Sequence, residues 1–172
     1  MSPLVSLVAV ISADGFISRG KGVPWNLPID RAHYRSYTGG KWLLVGRRTF
    51  EEKIGWFGDR HPLVMNSDTS YQPVVGQRVG SMRDALELAE AAKVPELVVV
   101  GGAGVFAAAM PVADRLVITH VDDVLGNGVP FPRISPEEWR ATSRIKYGKD
   151  AEHPHAFEIV FYERVLPPAQ PA

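Results

Sequence analysis

The apolar residues of this chain are gathered into short continuous runs, and several runs end in a glycine-rich or polar turn. The clearest runs are 4–11, 41–45 and 96–100, which are five to eight residues long and dominated by Val, Leu and Ile. Such runs are typical of strands buried on both faces of a parallel sheet. Strands alternate with helical segments early in the chain, whereas 138–143 and 156–165 read as successive strands. The order predicts an α/β fold with a mainly parallel sheet and an antiparallel edge strand at the C-terminal end.

Length and composition narrow the possible functions. The 172 residues suit one domain, which we expect to span 1–166, with a Pro-rich tail at 167–172. Lys plus Arg equals Asp plus Glu at 19 each, so the charge gives no reason to expect nucleic acid or a membrane surface as partner. The absence of cysteine excludes disulfides and thiol catalysis and fits a reducing cytoplasm. We therefore expect a cytoplasmic monomer that acts on a small molecule.

The segment 24–35 reads Pro-Trp-Asn-Leu-Pro-Ile-Asp-Arg-Ala-His-Tyr-Arg. Its second proline, Pro28, is tolerated in a first helical turn, because the N–H that it lacks would be unpaired there. Asp30 then falls in that first turn, with Tyr34 and Tyr37 on the same helix face. A carboxylate beside aromatic rings suits the amidine-like edge of a flat heterocycle. The alternative is that Asp30 only complements the helix dipole.

Turns that could bind an anion follow three of the predicted strands. Gly46-Arg47-Arg48 and Gly101-Gly102-Ala103-Gly104 each lead from a buried strand into a helix, and Asn66-Ser67-Asp68 follows a short strand. Backbone N–H groups at such turns and Arg side chains both suit phosphate, although the two arginines could equally be solvated. The G-x-G-x-x-G fingerprint is absent, so a standard Rossmann unit is not indicated. Because ligands of open α/β sheets bind beyond the carboxyl ends of the strands, these turns are expected to share one crevice.

No metal site is expected. Of the five histidines only His153 and His155 are close in sequence, and no pair of acidic residues accompanies them. We interpret both as surface residues.

Taken together, the segments 24–30, 46–51, 100–106 and 116–120 resemble the dihydrofolate reductase family. They occur in that family's order and spacing, and the resemblance covers nearly the whole chain. It implies a three-layer α/β/α fold and the transfer of hydride from NADPH to the pterin ring of dihydrofolate, with protonation at N5.

The resemblance also implies roles for particular residues on the substrate side. Asp30 would pair with ring N3 and the exocyclic amino group, Thr119 would steady Asp30, and Trp25 would hold a water near it. Arg60 would receive the α-carboxylate of the substrate's glutamate. The remaining substrate contacts would come from Val8, Val10, Arg31, Tyr34, Phe57, Val100 and Phe106.

On the cofactor side, the resemblance assigns Arg48 and Ser67 to the 2′-phosphate, which favours NADPH over NADH. Ile17 and Ser18 would belong to a mobile loop at the nicotinamide. The remaining cofactor contacts would come from Val10, Gly46, Arg47, Thr49, Asn66, Val100, Gly101, Gly102, Ala103, Gly104, Val105 and Phe106.

The chain departs from the family pattern in several places. Arg31 stands where an apolar side chain is usual, 56–59 replaces a proline-rich loop, and Ala103 replaces a glycine. The loop 126–130 and the segment 13–17 look more like the reductases of riboflavin synthesis, which reduce a ribosylaminopyrimidine. That substrate is one alternative, and a nucleotide-binding module without catalysis is another.

Overall fold

The computed structural model describes residues 2–166. It contains ten strands and four α-helices, and a single 3₁₀ turn, Met110–Val112, follows the last of these helices. The strands are β1 (Leu4–Ser12), β2 (Phe16–Ser18), β3 (Trp42–Gly46), β4 (His61–Met65), β5 (Gln77–Val79), β6 (Glu96–Gly101), β7 (Arg115–Val121), β8 (Val129–Pro130), β9 (Trp139–Tyr147) and β10 (Phe157–Arg164). The helices are α1 (Pro28–Thr38), α2 (Arg47–Glu52), α3 (Met82–Ala91) and α4 (Ala103–Ala109).

Eight of the strands form one sheet in the order β5-β4-β3-β6-β1-β7-β10-β9. The pairs from β5 to β7 are parallel, whereas β10 is antiparallel to both β7 and β9. The predicted α/β fold with a mostly parallel sheet and an antiparallel strand at one side is confirmed. In detail, the C-terminal strand β10 lies second from the edge, because β9 covers it.

Helices pack on both faces of this sheet and give the expected three layers. One apolar cluster joins the sheet to α3 and α4 through Met82, Ala85, Val105 and Ala109. The other cluster includes Tyr34 of α1 and Phe50 of α2. Successive side chains of β1 point to opposite faces of the sheet, so β1 contributes to both clusters: Leu7 belongs to the first and Val8 to the second.

The first turn of α1 is fixed by the far end of the chain. The backbone N–H of Ile29 donates to Nε2 of His153 at 3.2 Å, and Nδ1 of His153 lies 2.8 Å from Oδ1 of Asp150. His153 is only 2% exposed, so the interpretation of His153 as a surface residue is wrong. Its ring acts as an acceptor for a helix N–H that has no partner within the helix.

Strand β5 has only three residues and begins at Gln77. No helix within residues 2–166 is long and apolar enough to cross a bilayer. The predicted tail 167–172 lies outside the described residues.

Candidate active site

A cavity of about 620 Å³ opens where β1 and β6 end, between α1 and α2. This is the crevice expected beyond the carboxyl ends of parallel strands. The cavity is bordered by fifteen of the residues predicted from the sequence: Val8, Val10, Ile17, Ser18, Trp25, Asp30, Arg31, Tyr34, Arg48, Thr49, Val100, Gly101, Gly102, Ala103 and Phe106.

Asp30 is the buried acid of this cavity, with 7% of its surface exposed. The hydroxyl of Thr119, on β7, donates to Oδ1 of Asp30, which is the contact that the resemblance implies. Burial raises the pKa of Asp30, while the hydrogen bond from Thr119 and the nearby His33 act in the opposite direction. The site therefore holds a partly desolvated carboxylate whose remaining lone pairs can accept hydrogen bonds from a ligand.

Trp25 borders the cavity, but its indole is oriented differently from the prediction. The indole Nε1–H donates to Oδ2 of Asp123 at 2.9 Å. The prediction that Trp25 holds a water beside Asp30 is therefore not supported, because the only donor of the indole already has an acceptor in the loop after β7.

Phe57 and Arg60 do not border the cavity. Phe57 is 2% exposed and stacks on Phe50 at a centroid distance of 5.1 Å. The guanidinium of Arg60 donates from Nε to Oγ1 of Thr38 at 3.0 Å and from Nη2 to the carbonyl of Arg35 at 2.8 Å. The roles predicted for these two side chains in substrate binding stay predictions: Phe57 packs on Phe50, and Thr38 and Arg35 hold the guanidinium of Arg60 in place.

Glycines leave an open cradle at the end of β6. A Cβ atom at Gly101 would lie 3.0 Å from the ring of Phe106, and one at Gly102 would lie 3.2 Å from Oγ1 of Thr49. The peptide between Gly101 and Gly102 is cis, and φ of Gly101 is +112°. Only glycine combines this backbone with such close neighbours.

Only some of the residues predicted to hold the cofactor's phosphates border the cavity. Arg48 borders the cavity and its side chain is 79% exposed, whereas Arg47 pairs with Glu51 at 2.9 Å and lies over the ring of Tyr71. Asn66 lies outside the cavity lining, and its side-chain nitrogen is buried without a hydrogen-bond partner among the described residues. Gly46, Ser67, Gly104 and Val105 do not border the cavity either.

The loop that carries Ile17 and Ser18 is tied to the loop after β7. Strands β2 and β8 pair antiparallel. The carboxylate of Asp14 accepts hydrogen bonds from Oγ of Ser12 at 2.6 Å and from the backbone N–H groups of Leu125 and Gly126 at 3.0 and 2.7 Å. These bonds fix one wall of the cavity.

Asp14 gives this connection a pH dependence. The hydrogen bond from Ser12, reinforced by the N–H groups of Leu125 and Gly126, lowers the pKa of Asp14 to about 2. A carboxyl group with a lowered pKa in the folded state stabilises the fold above its ordinary pKa, and this contribution is lost as the pH falls toward the lowered value. We expect Asp14→Asn to lower the Tm at pH 7, and the difference from wild type to narrow below about pH 4.

The Asp14 prediction is checked by thermal unfolding of both proteins across pH 3–8. Asp122→Asn provides the control, because Asp122 is an exposed neighbour on the same loop. A difference between Asp14→Asn and wild type that stays constant across this range would contradict the assignment.

The sequence is similar to that of known proteins along most of its length. Residues 4–164 match the family model described as dihydrofolate reductase. The chain belongs to the dihydrofolate reductase family. It is 32% identical to dihydrofolate reductase type 3 of Salmonella typhimurium over 161 residues, which cover 94% of this chain and 98% of that protein. It is 28% identical to dihydrofolate reductase of Bacillus subtilis, with 94% of this chain and 95% of the relative covered.

A solved structure shows the same dihydrofolate reductase fold. Dihydrofolate reductase from Enterococcus faecalis, complexed with NADP(H) and RAB-propyl, superposes with a TM-score of 0.85 at 24% identity. The match covers 96% of this chain and 100% of that one. The solved structure therefore shares the fold of this chain along almost its entire length.

Several residues that border the cavity of this family member were not identified from its sequence: Ala9, Gly20, Lys21, Gly22, Val23, Leu27, Glu52, Lys53 and Val129. Four of them belong to the Gly/Lys-rich loop 18–23. No sequence pattern indicated that Lys53 borders the cavity, because a lysine directly after a helix is normally interpreted as a solvent-exposed charge. Within residues 2–166 no group of three or more His, Cys, Asp or Glu side chains is placed to hold a metal ion.

Proposed function

We propose that this chain reduces 7,8-dihydrofolate to 5,6,7,8-tetrahydrofolate with NADPH, by hydride transfer to C6 of the pterin ring and protonation of N5. The observation that carries the proposal is the buried carboxylate of Asp30, which borders the cavity and accepts the hydroxyl of Thr119. The names of the curated relatives support the same reaction.

Asp30 acts through position and charge. The two oxygens of a carboxylate match the ring N–H and exocyclic amino group of a pterin as a two-bond pair. Because the site is poorly solvated, this negative charge interacts more strongly with a developing positive charge on the ring than it would in water. Asp30 therefore orients the ring and favours its protonated form, and the proton reaches N5 through water.

The residues at the end of β6 fit NADPH. Gly101 and Gly102 leave a cradle that a Cβ would fill, and Thr49 lies at its side. Asn66 offers a buried donor without a partner among the described residues, and Arg48 offers an exposed charge. When bound, NADPH supplies the hydride. Val10, Ile17, Ser18 and Ala103 would then exclude water from one side of the reacting rings.

The proposal also covers the organisation of the protein. We assign residues 1–166 to one domain that works as a cytoplasmic monomer on a small-molecule substrate. The balanced charge of 19 basic and 19 acidic residues gives no reason to expect a nucleic-acid or membrane partner.

The test is a two-substrate assay. We expect purified protein to oxidise NADPH, seen as a loss of nicotinamide absorbance, when dihydrofolate is added and not when the ribosylaminopyrimidine of riboflavin synthesis is added. Turnover of the pyrimidine alone would establish the alternative substrate. Binding of NADPH without turnover of either compound would indicate a non-catalytic module.

A further inference from the structure

The first turn of α1, which carries Asp30, has little support from within the helix. Leu27, the residue that precedes the helix, has no side-chain acceptor, and Pro28 has no N–H. The first backbone N–H of the helix without an acceptor inside it is therefore that of Ile29, one residue before Asp30. Its acceptor must come from elsewhere in the chain or from water.

His153 supplies this acceptor, and its ring is oriented to do so. Nε2 lies 3.2 Å from the backbone nitrogen of Ile29, and Nδ1 lies 2.8 Å from Oδ1 of Asp150. The pKa of Asp150 is lowered, first of all by the hydrogen bond from this ring, so the carboxylate is ionised at neutral pH and can only accept. The ring hydrogen therefore belongs on Nδ1, and the lone pair of Nε2 faces Ile29. The same Oδ1 is fixed by the backbone N–H groups of Glu152 and His153, at 2.9 and 2.8 Å.

Packing also fixes the ring of His153. It is 2% exposed, and its centroid lies 5.4 Å from that of Phe157 on β10. Phe157 in turn stacks on Tyr147 of β9 at 4.9 Å. Since β10 pairs with β7, which carries Thr119, the supports of His153 and Thr119 belong to the same part of the sheet. Asp30 is thus held from two points of one sheet, its carboxylate by Thr119 and its backbone turn by His153.

The other end of α1 has separate anchors. The hydroxyl of Tyr37 donates to the carboxylate of Glu96, and Oγ1 of Thr38 accepts from Nε of Arg60. Loss of the contact at the first turn would therefore loosen that turn and leave the rest of the helix in place. A first turn that moves carries Asp30 with it, and a two-bond pair between a carboxylate and a flat ring tolerates little displacement.

We infer that His153 is a positioning residue of the reaction: by accepting the N–H of Ile29, it sets the direction in which the carboxylate of Asp30 meets the substrate. His153 does not border the cavity, so it acts only through Asp30. Asp150 acts with it, because its carboxylate decides which ring nitrogen can accept. The inference rests on the proposed function, since it takes Asp30 to bind the pterin ring.

Two replacements of His153 separate its hydrogen bond from its packing. His153→Leu fills much of the space without an acceptor, whereas His153→Gln can place an amide oxygen near the position of Nε2. We expect His153→Leu to lower kcat/KM for dihydrofolate about tenfold, because a displaced acid slows the reaction, and to leave the Kd of NADPH unchanged. His153→Gln should keep kcat/KM within about threefold of wild type. Glu152→Gln, at an exposed position on the same loop, is the control.

A double-mutant cycle with Asp30→Asn distinguishes positioning from a structural role. A residue that acts through the charge of Asp30 has little left to position once that charge is removed. Adding His153→Leu to Asp30→Asn should therefore lower kcat/KM by less than about threefold. A merely structural role would give the same factor in both backgrounds and overturn the inference.

Asp150→Ala replaces His153→Leu in this cycle if the leucine variant does not fold. The side chain of Asp150 is 55% exposed, and without its carboxylate the ring hydrogen can move to Nε2, so kcat/KM for dihydrofolate should again fall while the Kd of NADPH stays the same. An active wild type whose kcat/KM is unchanged by both substitutions would overturn the inference and leave the proposed function standing. A wild type that does not reduce dihydrofolate would overturn the proposed function, and the role of His153 in the reaction with it.

Discussion

Replacing Asp30 with Asn should reduce turnover of dihydrofolate by about 100- to 1000-fold at pH 7, the range typical when one positioned charged group is removed from a poorly solvated site. Asn keeps the shape of the side chain and can still accept the hydroxyl of Thr119. It cannot supply a negative charge to the ring. Since protonated substrate must then come from solution, kcat/KM of the variant should rise about tenfold for each unit that the pH falls. Steady-state rates from pH 5 to 8 measure both effects.

The same substitution should make the protein more stable at neutral pH. Burial raises the pKa of Asp30 above its ordinary value of 3.8. The folded state then binds more protons than the unfolded state, so the stability of the wild type falls as the pH rises above about 4. We expect Asp30→Asn to raise the Tm at pH 7 by roughly 2–4 °C, which is the change that about 1 kcal/mol produces in a protein of this size, and to have little effect near pH 3.

Asp84→Asn is the control for both measurements, since Asp84 lies exposed in the first turn of α3. An Asp30→Asn protein that keeps more than about a tenth of wild-type turnover at pH 7 would contradict the role proposed for Asp30. Lower activity combined with a lower Tm would instead point to damage to the fold.

Gly128→Ala should open the wall of the cavity that carries Ser18. A Cβ at position 128 would lie 2.2 Å from the carbonyl oxygen of Ser18, and φ of Gly128 is +142°. Strand β8 must therefore move away from β2, or the pairing of Ser18 with Val129 must break. We expect kcat/KM for dihydrofolate to fall about tenfold and the free energy of unfolding to fall by about 1–3 kcal/mol.

Gly126→Ala separates the two causes of that effect. Gly126 also has a positive φ, +82°, but a Cβ there would meet no atom within 4 Å. It should show the loss of stability from backbone strain without the loss of activity. Equal kinetic effects in the two variants would show that strain, and not the displaced wall, lowers the rate.

The regular part of the fold could be predicted from the sequence because the signals are local. Continuous apolar runs such as 96–100 lie in strands that are buried on both faces, and Pro28 begins a helix whose first turn holds Asp30. The crevice could be predicted from topology, since Gly101 ends the parallel strand β6 and Thr49 lies in the first turn of α2, directly after the parallel strand β3. Fifteen predicted residues meet in one cavity for that reason.

The remaining features depend on contacts that no local pattern encodes. The polar loop around His153 gives no sign that the ring is buried against α1. Arg60 and Lys53 are both cations near α2, and only the packing decides that Arg60 is engaged by carbonyl groups while Lys53 faces the cavity. The orientation of Trp25 likewise depends on Asp123, which lies 98 positions further along the chain.

The hydrogen bond between the first turn of α1 and His153 affects the order in which parts of the protein fold during synthesis. Asp30 meets Thr119 across 89 positions, and Ile29 meets His153 across 124. Contacts of such long range form slowly, because a large loop must close before they can form. A nascent chain that ends before His153 can pair β1 with β6 yet lacks the group that fixes the first turn of α1. Folate binding should therefore appear only after the chain has been synthesised as far as His153, so the affinity for folate during translation measures how late the first turn of α1 becomes fixed.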